Sequence, residues 1–147
     1  MLLYKNGRFF CGNVSITLPN DICIETGSDE ICGQGFHLYS PEKSFSIQID
    51  FKESPNTAHR EIEHNFDGQF SYQLIGEVEP ISAGGLSGYK AYYEDKSTYN
   101  EEYAFDLEEC GQYSLLDIYV MRWKDSEYDG NYMNRIVSEI LAGIESR

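Results

Sequence analysis

The stretch Asp125-Ser126-Glu127-Tyr128-Asp129-Gly130-Asn131 carries acidic groups at alternate positions and glycine sixth, the opening of a calcium-binding loop. Such a loop closes with a bidentate glutamate at its twelfth position, where this chain has Ile136. The segment is therefore read as an acidic loop capping the helix that follows it. The run His59-Arg60-Glu61-Ile62-Glu63-His64 sets its histidines five positions apart. Zinc helices use i and i+4, and at five the imidazoles diverge by about 140° on a 3.6-residue helix. His59 and Glu63 do meet the spacing of four, so a solvated pair on a helix face is expected there. Cys32 lies near His37, but no protease signature surrounds it. Gly85-Leu86-Ser87-Gly88 lacks the G-x-S-x-G spacing of a nucleophile elbow and the Lys-Ser/Thr of a phosphate loop. Glu101-Glu102 and Glu108-Glu109 are sequence neighbours, so on a strand the members of each pair face opposite sides and form no close dyad. No catalytic residue, metal ligand or cofactor is assigned, and a non-enzymatic protein is expected.

Surface chemistry is the more informative signal. The 147 residues include 25 acids against 11 Lys and Arg, a net charge of −14. Such a field repels nucleic acid and anionic lipid and speeds encounter with a basic protein. The candidate binding residues are Tyr92, Trp123, Tyr128 and Tyr132, set among Glu94, Asp95, Asp125, Glu127 and Asp129. Aromatic rings anchor protein interfaces and charges orient them, so this set is expected to form one acidic, aromatic-rimmed surface for a basic partner. The alternative is a small-ligand or metal-binding domain with a pocket between sheet and helix.

The elements that must position these groups are mostly strands. Asn6-Gly7 marks a hairpin between two short apolar runs. Val14, Ile16 and Leu18 alternate, Ile22 and Ile24 suggest a further short strand, and Gly33 to Tyr39 reads as another. Phe45, Ile47, Ile49 and Phe51 alternate with Ser46, Gln48 and Asp50, the cleanest period of two in the chain. Ser54-Pro55 then signals a helix start, with Asn56 or Thr57 as alternative caps, and Ala58, Ile62 and Phe66 form its stripe up to Asp67-Gly68. Phe70 to Val78 is a strand ended by Pro80, and residues 82–88 form a glycine-rich connection. Tyr89 to Glu94, Tyr99 to Leu107 and Tyr113 to Trp123 make a meander. Met133, Ile136, Val137, Ile140, Leu141 and Ile144 recur at three and four, giving a final helix. The expected fold class is α+β in one domain over 1–147, with helices on an antiparallel sheet whose charged face is solvated. The hairpin at about 1–12 is open to being an addition.

The opening residues carry no signal-peptide pattern and no run reaches the ~20 apolar residues of a membrane span, which points to a cytoplasmic protein; an exported or processed form stays open. The four cysteines, Cys11, Cys23, Cys32 and Cys110, form no CxxC pair and are expected reduced, with Cys23–Cys32 the pairing to test in an exported form.

The order of segments, "VSITLP", "GFHLYSP", "SFSIQIDF", a helix, then "ISAGGLSGYKAYYE", "NEEYAFDL", "YSLLDIYV" and "RIVSEILAGI", resembles the Mog1/PsbP-like superfamily, including the DcrB-like and DUF1795 bacterial proteins. The resemblance spans about residues 13–145. It implies an α/β/α sandwich around an antiparallel sheet and a non-catalytic, chaperone- or immunity-like binding role. It carries no common set of functional residues to transfer.

Overall fold

The computed structural model describes residues 3–5, 8–20, 23–27, 33–39, 45–66, 72–125 and 130–147. Within them the chain forms eleven strands in two antiparallel sheets, with two helices, an α+β arrangement. The strands of the larger sheet are β4 (Cys23–Gly27), β5 (Gly33–Tyr39), β6 (Phe45–Lys52), β7 (Gln73–Ala83), β8 (Leu86–Glu94), β9 (Thr98–Cys110) and β10 (Tyr113–Trp123). Their spatial order is β4-β5-β6-β10-β9-β8-β7. The smaller sheet, β1-β2-β3-β11, joins β1 (Leu3–Lys5), β2 (Arg8–Cys11) and β3 (Val14–Thr17) to β11 (Ile144–Ser146) near the other end of the chain.

Period-two alternation sorts every long strand into two faces. On one face Ile47, Ile49 and Phe51 of β6, Tyr103 and Phe105 of β9, and Leu116, Ile118 and Val120 of β10 form a continuous apolar layer. The second helix, α2 (Gly130–Ala142), lays Met133, Ile136, Val137 and Ile140 against it. Phe9, Val14 and Ile16 of the smaller sheet complete the same core. Each such side chain contributes roughly 1.5–3 kcal/mol on leaving water, so this layer is the principal source of stability.

The other face carries the short helix α1 (Ala58–Glu63), which packs on β8 and β9 through Ala58 and Ile62 against Ala91, Ala104 and Leu115. Thr57 is its cap, accepting from the Arg60 N–H at 3.3 Å. Asp106 of β9 reaches up to accept from the Ala58 N–H at 2.8 Å, tying the helix start to the sheet. His59 and Glu63 are in contact as their spacing implies, and the His59 ring meets Tyr89 edge-on at 4.7 Å.

Four sequence expectations are corrected. Pro80 does not end its strand: β7 runs on to Ala83, because among the described residues it is an edge strand, where proline is tolerated. The connection at 82–88 shrinks to Gly84-Gly85, and β7 joins the meander as a fourth strand. Gly84 has φ +57°, and a Cβ there would fall 1.9 Å from the Ile144 carbonyl oxygen, so the turn sits hard against β11. Ile144 leaves the helical series; α2 ends at Ala142, and Ile144 pairs with Ile16 as a strand residue. The charged sheet face is not solvated. Glu102 and Asp117 are 2% and 4% exposed, because α1 and its neighbours cover a face that alternation alone would leave to water.

Candidate functional site

A cleft of about 240 Å³ opens on the α2 face of the large sheet. The register places Ile75 of β7 opposite Tyr92 of β8, Tyr92 opposite Glu101 of β9, and Glu101 opposite Val120 of β10. These four side chains form one row across four strands, with Tyr99, Arg122 and Met133 closing the sides. Ile75 is 42% exposed and Tyr92 37%, so two large apolar groups stand side by side at the mouth. Gly76, with φ +77°, starts the irregularity that shifts the β7–β8 register between Ile75 and Glu79, which bends the edge strand beside the cleft.

The polar groups of the cleft are balanced. Burial pushes the Glu101 carboxyl above its ordinary value, opposed by the Tyr103 hydroxyl, which donates to it at 3.1 Å, and by Arg122 and Lys90. Burial and then the Glu101 charge push the Tyr103 phenol up in turn. The Arg122 guanidinium stacks 4.2 Å from the Tyr99 ring centre and the Lys124 ammonium lies 4.7 Å from it. The cleft thus offers an apolar floor with one carboxyl and a cationic edge.

The nominated residues do not come together. Tyr92 lines the cleft, but Trp123, 48% exposed, has the opposite parity and belongs to the α1 face. Tyr132 packs its ring on Phe45 at 5.7 Å, with Arg135 over it at 5.3 Å. Glu94 pairs with Lys124 at 3.1 Å. Asp95 builds the β8–β9 turn, accepting from Ser97 N, Thr98 N and Thr98 Oγ1 at 2.7–2.9 Å. The Ser97 N–H in particular holds its carboxyl below the ordinary range. Asp125 is exposed. Glu127, Tyr128 and Asp129 lie outside the described residues, as do Cys32 and most of the calcium-like loop. The single acidic, aromatic rim expected from sequence is therefore divided between two sheet faces and a turn.

Sequence reasoning also missed a polar cluster on the α1 face. Lys52 donates to Asp117 Oδ2 at 2.8 Å and lies 3.6 Å from Glu61. Burial alone would lower the Lys52 ammonium, but the neighbouring carboxyls, Asp117 foremost, outweigh it and hold the charge firmly on. Asn65 and Tyr93 both donate to Glu102 Oε1, and Tyr119 donates to Asn100. Burial above all lifts the Tyr93 phenol far above its ordinary value, so this hydroxyl stays a donor at any physiological pH. The available signal was Asp117, an acid inside the apolar run Leu115-Leu116-Asp117-Ile118. No family model matches this chain, and no curated protein matches it.

Proposed function

We propose that this chain is a non-enzymatic binding domain of Mog1/PsbP-like type, and that its cleft receives an apolar side chain from a basic protein partner. One observation carries the reading: Ile75 and Tyr92 stand exposed side by side over a concave site on a chain of net charge −14. Long-range charge would set the encounter rate, and the two apolar groups would set how long the complex lasts. The resemblance in segment order adds a chaperone- or immunity-like role to the same reading. The test takes a partner recovered by affinity capture, purifies it, and titrates it against variants. Ile75→Asp and Tyr92→Ala are expected to weaken binding by about 10-fold or more each, the size of an interface anchor, whereas Trp123→Ala on the other face leaves it within about twofold. The on-rate is expected to fall as salt rises. Loss of binding in Trp123→Ala with retention in Ile75→Asp would overturn the assignment of the cleft.

A second reading rests on Glu101 and Arg122 entering the same cleft. Convergent polar groups over an apolar floor suit a small molecule with an apolar body and one polar end. That reading requires saturable thermal stabilisation by such a compound with no protein partner present, lost in Tyr92→Ala.

A further inference from the structure

Three carboxyls crowd the α1 face of the large sheet. Asp117 of β10 lies directly opposite Asp50 of β6. Glu102 of β9, whose direct partner is Tyr119, is the diagonal neighbour of Asp117. All three are buried. Among the described residues, the other titratable or charged groups facing Glu102 and Asp117 from the packed elements are Lys52 of β6, Glu61 of α1, Tyr93 of β8, Tyr119 of β10 and Tyr72 before β7. Among the described residues, Lys52 is the cation in this cluster. Among the described residues, Glu102, Asp117 and Glu61 thus share the one cation, Lys52.

The hydrogen bonds show where the imbalance falls. Asn65 and Tyr93 both donate to Glu102 Oε1, and Lys52 donates to Asp117 Oδ2. Asp117 Oδ1 is enclosed and, among the described residues, receives no donor. The Asp117 side chain is only 5% exposed, so water does not reach this oxygen from the surface. A buried anionic oxygen left without a donor is costly. Glu102 touches Asp117, but a carboxylate has no hydrogen to give. A carboxylic acid has one.

We infer that Glu102 and Asp117 form a buried proton-binding site, holding one proton between them, and that seating α1 on the sheet is linked to its occupancy. The balance is simple: the Glu102 carboxylate takes one proton from solvent, becomes a neutral acid, and donates its O–H to Asp117 Oδ1. Asp117 remains the anion because Lys52 sits on its other oxygen. Burial, then the neighbouring Asp117 charge, pushes Glu102 well above the ordinary carboxylate range, in the same sense. The lid over the site is α1 with the turn behind it, through Glu61 on Lys52 and Asn65 on Glu102.

The sign of the linkage follows. The folded state holds this proton more tightly than the unfolded chain does. Its stabilisation is fully present below the unfolded glutamate value of about 4.3 and is lost as pH climbs through the raised folded value. General repulsion among surface acids also grows with pH, so the test must separate the two.

Two measurements do so. In the wild-type chain, labelled with carbon-13 at the side-chain carboxyls, the Glu102 resonance is followed from pH 5 to 9. The expected result is one protonated carboxyl at pH 7, assigned to Glu102 or shared with Asp117. Ionised resonances for both at pH 7, with the orphan oxygen then held by an internal water, would overturn the site. Hydrogen exchange of the amides of residues 58–63, corrected for intrinsic rates, is compared between wild type and Glu102→Gln over the same range. Glutamine keeps the donor but cannot titrate. Protection is expected to decline with pH more steeply in wild type than in the variant, which keeps only the general repulsion; equal slopes would remove the link to α1. If the variant does not fold, the wild-type titration still decides the proton site.

Discussion

The two faces of the large sheet are built on opposite principles. The α2 face is closed by Phe51, Phe105, Ile118 and their neighbours, which need only shape to fit. The α1 face is closed by a few small apolar contacts around Ala91 and Ala104, and otherwise by a network of Lys52, Glu102, Asp117, Tyr93 and Asn100 that needs directional partners. The first kind of surface supplies most of the free energy. The second is tolerant only while every member is present, because an unmatched charge in a dry place costs more than the matched pair contributes. The two proposed sites divide in the same way: the open cleft lies at the margin of the oily layer, and the inferred proton site within the polar one.

This contrast can be broken from either side. Phe105→Ala should have the largest effect, about 4 kcal/mol of unfolding free energy by denaturant titration, from lost burial plus the cavity it leaves. Lys52→Met should cost less, about 3 kcal/mol, by stranding Asp117 without its cation. The sharper comparison is the double variant Lys52→Met/Asp117→Leu. It should recover most of that loss, since two apolar groups replace a pair whose desolvation was costly; a double variant as unstable as the sum of the singles would show that the network contributes more than its own repair. Thr57→Ala should show the smallest effect, about 1 kcal/mol, from the loss of the α1 cap alone.

Much of the frame was legible because alternation is a local signal. Phe45 to Phe51 and Tyr113 to Trp123 announced their strands and their inward faces without reference to anything distant. Alternation is silent, however, on what covers the second face. Asn100, Glu102 and Asp106 read as a solvated row, yet two of them are buried and the third anchors a helix. The Glu102–Asp117 contact depends on the register between two strands, which no single stretch contains. The same limit scattered the nominated surface. Tyr92 and Trp123 both read as rim aromatics, and only the pairing of β8, β9 and β10 shows that an odd step puts them on opposite sides. The spacing of Ile144 fits the helical series of α2, and Gly143 is what interrupts it: its N–H bonds back to Glu139, while its carbonyl turns to accept from Thr17.

The position of β11 has a further consequence. Ile144, Glu145 and Ser146 pair with Ile16, Ser15 and Val14, and Ser146 also fastens the Gly84 turn through its N–H and hydroxyl. During synthesis, β3 therefore leaves the ribosome long before its partner exists, and its edge must wait until residues 144–146 have been made. Closure of the smaller sheet therefore comes late in synthesis, slowed by the long loop it must span. A nascent-chain arrest series would locate the step at the arrival of residues 144–146.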